Sequence, residues 1–242
     1  MLCRRAFLPF CLALTLALAG CKTTYYKAMR TLGKEKRDIL VSRIKDAKTD
    51  QQATKQQLKT TMESFQQLTG FKGGSLEKSY KRLNSDYEKV EDQARKLHDR
   101  VDSIDKVSQD LFKEWQSEIN QMDDRKLKSQ SSAMLRDARI RQASYLKTMR
   151  KTEEQMTPVL RAFHDQVLFL KHNLNARAIG SLMNTSANIQ DEVTVLLASI
   201  DGSMNEADSL IASLNSATDH ERIRESSSTR GESLLRAGSA AL

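Results

Sequence analysis

Apolar residues recur along nearly the whole chain at helical spacing, and in one stretch the spacing is that of a packing seam. Leu76, Tyr80, Leu83, Tyr87, Val90, Ala94, Leu97, Val101 and Ile104 follow one another in alternating steps of four and three, the heptad pattern that keeps one side of a helix against a partner. After a slip at Val107 the seam runs on through Leu111, Trp115, Ile119 and Met122. An earlier segment places Tyr25, Met29, Leu32, Leu40, Ile44, Ala47, Leu58, Met62 and Phe65 on one face. A third runs from Leu135 through Tyr145, Met149, Met156, Val159, Phe163 and Val167 to Leu170 and Leu174, and a fourth from Ile179 through Leu182, Ile189, Val193, Leu196, Ile200 and Ala207 to Leu214. Few signals interrupt these stripes. Thr69-Gly70-Phe71-Lys72-Gly73-Gly74-Ser75 reads as a turn with Ser75 placed to cap the next helix. Met122-Asp123-Asp124 is a weaker turn, and Asn173-Leu174-Asn175 a third, with Asn175 as a cap.

The pattern predicts an all-α fold, an elongated antiparallel bundle of long helices near 24–68, 76–122, 127–172 and 176–215, running up-down-up-down. A chain that did not turn at Asn173–Asn175 would instead form three long helices, the last reaching past the others. At 1.5 Å per residue a helix of some 45 residues is ~68 Å long, so the bundle is a rod. Pro158 is expected to kink the third helix or to begin a new one. From about Ser216 the chain becomes aperiodic and rich in Ser, Arg and Gly, which predicts a disordered tail over 216–242.

The first twenty residues break the pattern. Arg4 and Arg5 precede an apolar run from Phe7 to Leu18, too short to span a bilayer, which needs ~20 apolar residues. Small residues close the run, and Leu18-Ala19-Gly20-Cys21 resembles a bacterial lipobox, the signal for cleavage and lipidation. The reading divides the chain into a signal peptide over 1–20, a helical domain over 21–215 and the tail. Cys21 then becomes the lipidated first residue, whose acyl chains contribute ~0.8 kcal/mol per buried methylene. Lys22, rather than Asp, follows it, which by the resemblance implies sorting to the outer membrane, with the protein facing the periplasm. Cys3 and Cys11 leave with the signal, so no thiol remains for a disulfide, a nucleophile or a thiolate metal site.

Composition changes the picture little, and charge changes it more. Lys, Glu, Gln, Asp, Leu and Ala dominate, and Pro158 is the one proline beyond the signal, a composition of long helices. Residues 22–60 carry 11 basic and 4 acidic side chains, 61–124 carry 10 and 14, 125–151 carry 9 and 1, and 152–242 carry 7 and 12. Blocks of alternating sign are solvated helix faces that complement their neighbours. In an antiparallel bundle the basic 22–60 and 125–151 blocks share the anchored end with the acidic stretch Asp99 to Asp124. Excess positive charge there could touch anionic headgroups. No nucleic-acid motif is present, and export argues against that class of partner.

No motif carries catalytic chemistry. His164 and His172 lie eight apart, ~12 Å along a helix, too far to share a metal, and Leu168 stands where a zinc helix would place its second histidine. Glu153-Glu154 and Asp191-Glu192 are adjacent in sequence, so each pair points to different faces. No cofactor or metal is predicted. One cluster stands out: Phe169-Leu170-Lys171-His172-Asn173-Leu174-Asn175-Ala176-Arg177 mixes apolar residues with amides, an imidazole and two cations. In the four-helix arrangement it shares the end away from Cys21 with Phe71 and the glycine turn. Phe71, Lys171, His172, Asn173 and Asn175 are therefore the candidate interaction tip, with a capped helix end as the simpler explanation.

Three runs together have a familiar look: Lys36-Arg37-Asp38-Ile39-Leu40, Gly73-Gly74 with Leu76, and Pro158-Val159-Leu160 followed by Asp165-Gln166-Val167-Leu168-Phe169-Leu170-Lys171-His172-Asn173-Leu174-Asn175. They resemble a family of Gram-negative lipoproteins classed as a domain of unknown function, over roughly residues 18–215. The resemblance implies an envelope location and a helical fold, and it supplies no activity, cofactor or catalytic residue. The expectation is a non-enzymatic outer-membrane lipoprotein acting as a helical scaffold or adaptor, held by lipid on Cys21 and meeting an unidentified envelope protein or further copies of itself. The alternative is a self-assembling membrane-surface coiled coil that binds anionic lipid.

Overall fold

Long stretches of strong helix formers, separated by three short polar turns, produce four helices in the computed structural model, which describes residues 36–71 and 73–239. The side chains of residues 176, 184 and 217–239 lie outside that description, as do residues 1–35 with the signal segment, Leu18, Ala19, Gly20 and Cys21. Helix α1 spans Lys36–Thr69, α2 Leu76–Asn120, α3 Arg125–His172 and α4 Ala176–Ser239. The chain turns at Asn173–Asn175, so the four-helix arrangement holds and the three-helix alternative does not.

The starts of α2, α3 and α4 are each fixed by a side chain that replaces a missing backbone partner. Ser75 Oγ accepts from the Lys78 amide at 3.3 Å. Asp124 Oδ1 accepts from the amides of Lys126 at 2.8 Å and Leu127 at 3.0 Å, which starts α3 two residues before the expected position. Asn175 Oδ1 accepts from the Ala178 amide at 3.0 Å. Gly73 and Gly74 have φ of 148° and 111°, values L side chains rarely adopt, so the glycine pair is what lets the chain reverse between α1 and α2.

Cross-helix bonds give the topology. Along α1, residues Lys48, Gln51, Lys55 and Gln66 meet Asp208, Ser203, Asp201 and Gln190 of α4 in reverse order. Between α1 and α2, Lys36 pairs with Glu114 at 2.9 Å, Arg100 with Asp50 at 2.8 Å, and Ser64 with Asp86 at 2.8 Å. On α2 and α3, Trp115 meets Ser131 and Tyr87 meets His164. On α3 and α4, Asp137 meets Ser213 and Arg141 meets Ser209. Every neighbouring pair is antiparallel, and α1 closes the ring against α4.

The predicted seam is the core. Leu83, Val90, Leu97 and Ile104 of α2, Leu40, Ile44, Leu58 and Phe65 of α1, Leu135, Tyr145 and Phe163 of α3, and Leu196, Ile200 and Leu214 of α4 are fully buried or nearly so. Phe65 and Phe163 cross the middle edge to face, 6.0 Å apart, a geometry favoured by the ring quadrupoles. Burial of each such aliphatic side chain stabilises the fold by ~1.5–3 kcal/mol before entropy is subtracted. The gap in the first stripe between Ala47 and Leu58 spans two seam positions, and Gln51 and Thr54 occupy them, both fully buried.

Two expectations are refined. Pro158 lies on the exposed face inside α3 and does not begin a new helix; the amide it lacks would have met the carbonyl of Glu154, itself an exposed residue. The segment expected to be a disordered tail continues α4 as helix through Ser239. Propagation from an existing helix costs little where no proline intervenes, and Arg, Glu, Leu and Ala in that segment are compatible with it. Leu214 remains the last described core residue.

Candidate functional site

The ends of α1 and α3 and the starts of α2 and α4 meet at one end of the rod, the far end, so the fold brings the loop containing Phe71 and the turn at Asn173–Asn175 together there. The candidate residues differ in what they do. Phe71 and Leu174 are half-buried and pack on the end of the core. Asn175 is the α4 cap. The Asn173 side chain donates to the Phe169 carbonyl at 2.9 Å, and its amide donates to Leu170 O at 3.2 Å, which closes α3. Both asparagines therefore have structural work. Lys171 and His172 are exposed in the last turn of α3, where their donors suit the negative end of the helix dipole.

Of the apolar flank of this end, the sequence reading held Phe169 in its cluster and missed Leu168 and Met183. Leu168 is 45%, Phe169 41% and Met183 62% exposed. The heptad count carried the signal, since Leu168 and Phe169 fall between the seam positions Val167 and Leu170 and so must point outward.

The two ends carry a similar excess of positive charge. At the far end the level is set by Gln66 facing Gln190, Ser64 facing Asp86, and Phe65 facing Phe163. Beyond it, residues 66–84 and 163–190 hold five described Lys or Arg and two carboxylates, Glu77 and Asp165. Glu77 pairs with Lys81 at 2.6 Å and Asp165 lies 3.7 Å from His164 Nδ1. Lys78, Lys171 and Arg177 have no ion pair with a described carboxylate. At the near end the level is set by Arg43 facing Ser103 and Arg141 facing Ser209. Beyond it, residues 36–43, 103–141 and 209–216 carry eleven basic and eight acidic side chains, so a positive excess is present there among the described residues. Its cations are drawn into the bundle: Arg37 stacks over Trp115 at 5.1 Å and Arg139 over Phe112 at 5.9 Å. Lys48 and Lys55 pair with Asp208 and Asp201 at 2.6 and 2.5 Å. The charge blocks thus complement their neighbours, as exposed pairs worth ~0–1 kcal/mol each.

Elsewhere the polar groups serve the fold. Asp86, 5% exposed, ties α1 to α2. Its carboxylate accepts from Ser64 at 2.8 Å and Lys89 at 3.0 Å, and its carbonyl from Thr61 at 3.1 Å and Gln57 at 3.2 Å. Burial pushes this carboxyl up, but the bonds from Ser64 and Lys89 and the lysine charge outweigh it and hold the group below its ordinary range. Open grooves between α2 and α3 hold the His98–Glu153 contact, 3.2 Å, and the Arg150–Asp105 pair, 3.2 Å. Burial pushes the Glu153 carboxyl up, against the lowering effect of His98. Among the described residues no three metal-ligating side chains gather, and no helix is long and apolar enough to cross a membrane.

Helix order and cross-helix contacts together define an up-down-up-down four-helix rod. The chain belongs to the family described as "Protein of unknown function (DUF2959)", whose model matches residues 25–214, from the first apolar stripe to the last core leucine. Leu18-Ala19-Gly20-Cys21 lies ahead of the matched segment. No curated protein and no solved structure matches the chain.

Proposed function

We propose that this protein is a lipid-anchored outer-membrane lipoprotein facing the periplasm, and that it acts without catalysis as a helical scaffold or adaptor. Lipid on Cys21 would hold the near end at the membrane, and the far end would carry recognition. The observation that carries this reading is the far end, where exposed Lys171 and His172 close α3 beside exposed Leu168 and Phe169, ~70 Å from the opposite end along helices of 45 and 48 residues. A slender bundle with a filled core leaves little room for the concave, convergent pocket that an enzyme needs.

Metabolic labelling with palmitate tests the anchor. Wild-type chain should carry the label and fractionate with the outer membrane, and Cys21→Ala should lose both. An unlabelled wild-type chain refutes the anchor. Sizing of detergent extracts tests the adaptor role. Wild type should run with a partner and Lys171→Ala combined with His172→Ala should run alone, both substitutions being on exposed side chains that leave the fold intact.

A further inference from the structure

We infer that the chain pairs with a second copy of itself through the face formed by α3 and α4, with the two rods parallel. The direction rests on the lipid-anchor reading, and the face does not. Exposed surface differs from helix to helix. Of the 19 exposed residues of α2, 14 are charged, as a solvated helix requires. Of the 17 exposed described residues of α4 between 178 and 216, only Asp191, Glu192 and Asp208 are charged, and that stretch holds no Lys or Arg. In place of charge, α4 shows a second seam. Val195, Ala198, Gly202, Asn205, Ser209 and Ala212 follow in steps of three and four. Each stands two residues on from a buried core position such as Val193, Leu196 or Ile200, hence about 200° round the helix. An outward heptad seam of small residues lets a further helix come close, and no described helix of this chain covers it.

Ser209 accepts from Arg141 at 2.6 Å, so the seam borders α3 and the two helices share one face. On α3, Arg139 and Arg150 turn toward α2, while Asp137 and Arg141 turn toward α4. Ile140, Lys147, Lys151 and Pro158 fall between these directions and point outward. Three of the five exposed large apolar side chains among the described residues, Ile140 at 69%, Val195 at 56% and Phe169, lie on this face.

A two-fold axis along the rod sets α3 of one copy against α4 of the other at the same level, and forms each contact twice. Asp137 facing Ser213 and Arg141 facing Ser209 fix that level. Ile140 then meets Ser209 and Ala212 of the second copy, and Lys147 meets its Gly202 and Glu206, so bulk faces small residues and a cation faces a carboxylate. The antiparallel arrangement would set α3 against α3, where residues 125–151 carry nine basic side chains and one acidic. It would also point the two Cys21 anchors to opposite ends. Anionic lipid is a poor occupant, since α4 brings carboxylates and no cation. Residues 133–169 make the face ~54 Å long and about two helices wide. That is about 1,000 Å² per copy, enough for a standard interface of ~800 Å² per partner.

Disulfide trapping in cells tests the face. Two differently tagged copies of the full chain are co-expressed, one with Ile140→Cys and the other with Ala212→Cys, and they should crosslink to each other. Ala53→Cys with Lys96→Cys, which lie level on the α1–α2 face, should not. Gly202→Lys separates contact from fold. A Cβ at Gly202 meets nothing within 4 Å, so circular dichroism should be unchanged, while sedimentation in detergent should show association weakened at least tenfold. Lys171→Ala with His172→Ala should leave the dimer intact. A wild-type monomer, or equal trapping on the α1–α2 face, overturns the inference. A monomer whose partner is lost with the tip variant removes the dimer and leaves the adaptor reading standing. A dimer without lipid on Cys21 removes the anchor and supports the face, its direction then read from the trapped pair.

Discussion

At the scale of single residues the core is not uniformly apolar, and the exceptions make predictions. Asp86 meets α1 through three contacts, and its carboxylate alone holds Ser64 across the helices and Lys89 on its own helix, so Asp86→Ala, which leaves buried Ser64 without that acceptor, should cost about 1–3 kcal/mol, read from denaturant midpoints at unchanged slope. The carboxyl sits below its ordinary range in the folded chain. Its contribution is therefore full above the unfolded value near ~4 and is lost as pH falls through the folded value. The acid side of the stability curve should be shallower in Asp86→Asn than in wild type. Glu153 has the opposite sign. Its raised folded value means that its contribution is present at low pH and lost as pH rises through that value, so the charged form opposes folding at neutrality. Glu153→Gln should raise stability at pH 7 relative to pH 4, and a fall would contradict that sign. Tyr145 is fully buried and burial pushes its phenol strongly up. The register set by Arg141–Ser209 places it level with the Gln51–Ser203 bond, yet neither its hydroxyl nor Gln51 Oε1 has a hydrogen-bond partner among the described atoms. Tyr145→Phe should stabilise by about 1 kcal/mol. The positions of these groups were legible in the sequence and their roles were not. Gln51 and Thr54 lie on the seam in steps of four and three from Ala47, but a polar residue there reads as a gap until the opposite helix is known. Asp86 looks like one more surface acid because its partners lie on another helix.

At the scale of elements, turns were legible where backbone chemistry demands particular residues. The glycine pair, Ser75 and Asn175 announce their turns by type. Asp124 was missed as the α3 cap because an Asp-Asp pair beside lysines reads equally well as surface charge. Asn175→Ala and Asp124→Ala should each lower the midpoint of thermal unfolding by the equivalent of about 1 kcal/mol, with helical content retained in circular dichroism. The tip shows the limit of residue type as a signal. Asn173 and Asn175 were singled out for recognition, and the fold uses both to finish helices, since short amide side chains serve caps as readily as ligands. Apolar Leu168, part of the same run, was read as pattern and turned out, with Phe169, to be its exposed flank. The continuation of α4 past Ser216 escaped the periodicity test because a helix needs no apolar stripe once an earlier segment has nucleated it.

At the scale of the whole molecule, the order of charge along the chain became informative only once the topology was known. The sign of each block is plain in the sequence, but which block faces which depends on the three reversals of the chain. Those reversals set α4, with Asp201 and Asp208, against the lysines of α1, and they gather Lys78, Lys171 and Arg177 at one end. The account's central claim is that the far end, and not the near end, meets a partner. Photocrosslinking amino acids placed in the living cell at Phe169 and His172, and at Asp123 and Lys126 as the near-end comparison, test it most directly. The account predicts one discrete protein adduct from the far-end positions, lost on charge reversal at Lys171 and Arg177, and none of that size from the near end. The same adducts from both ends, or none from the far end, would contradict it.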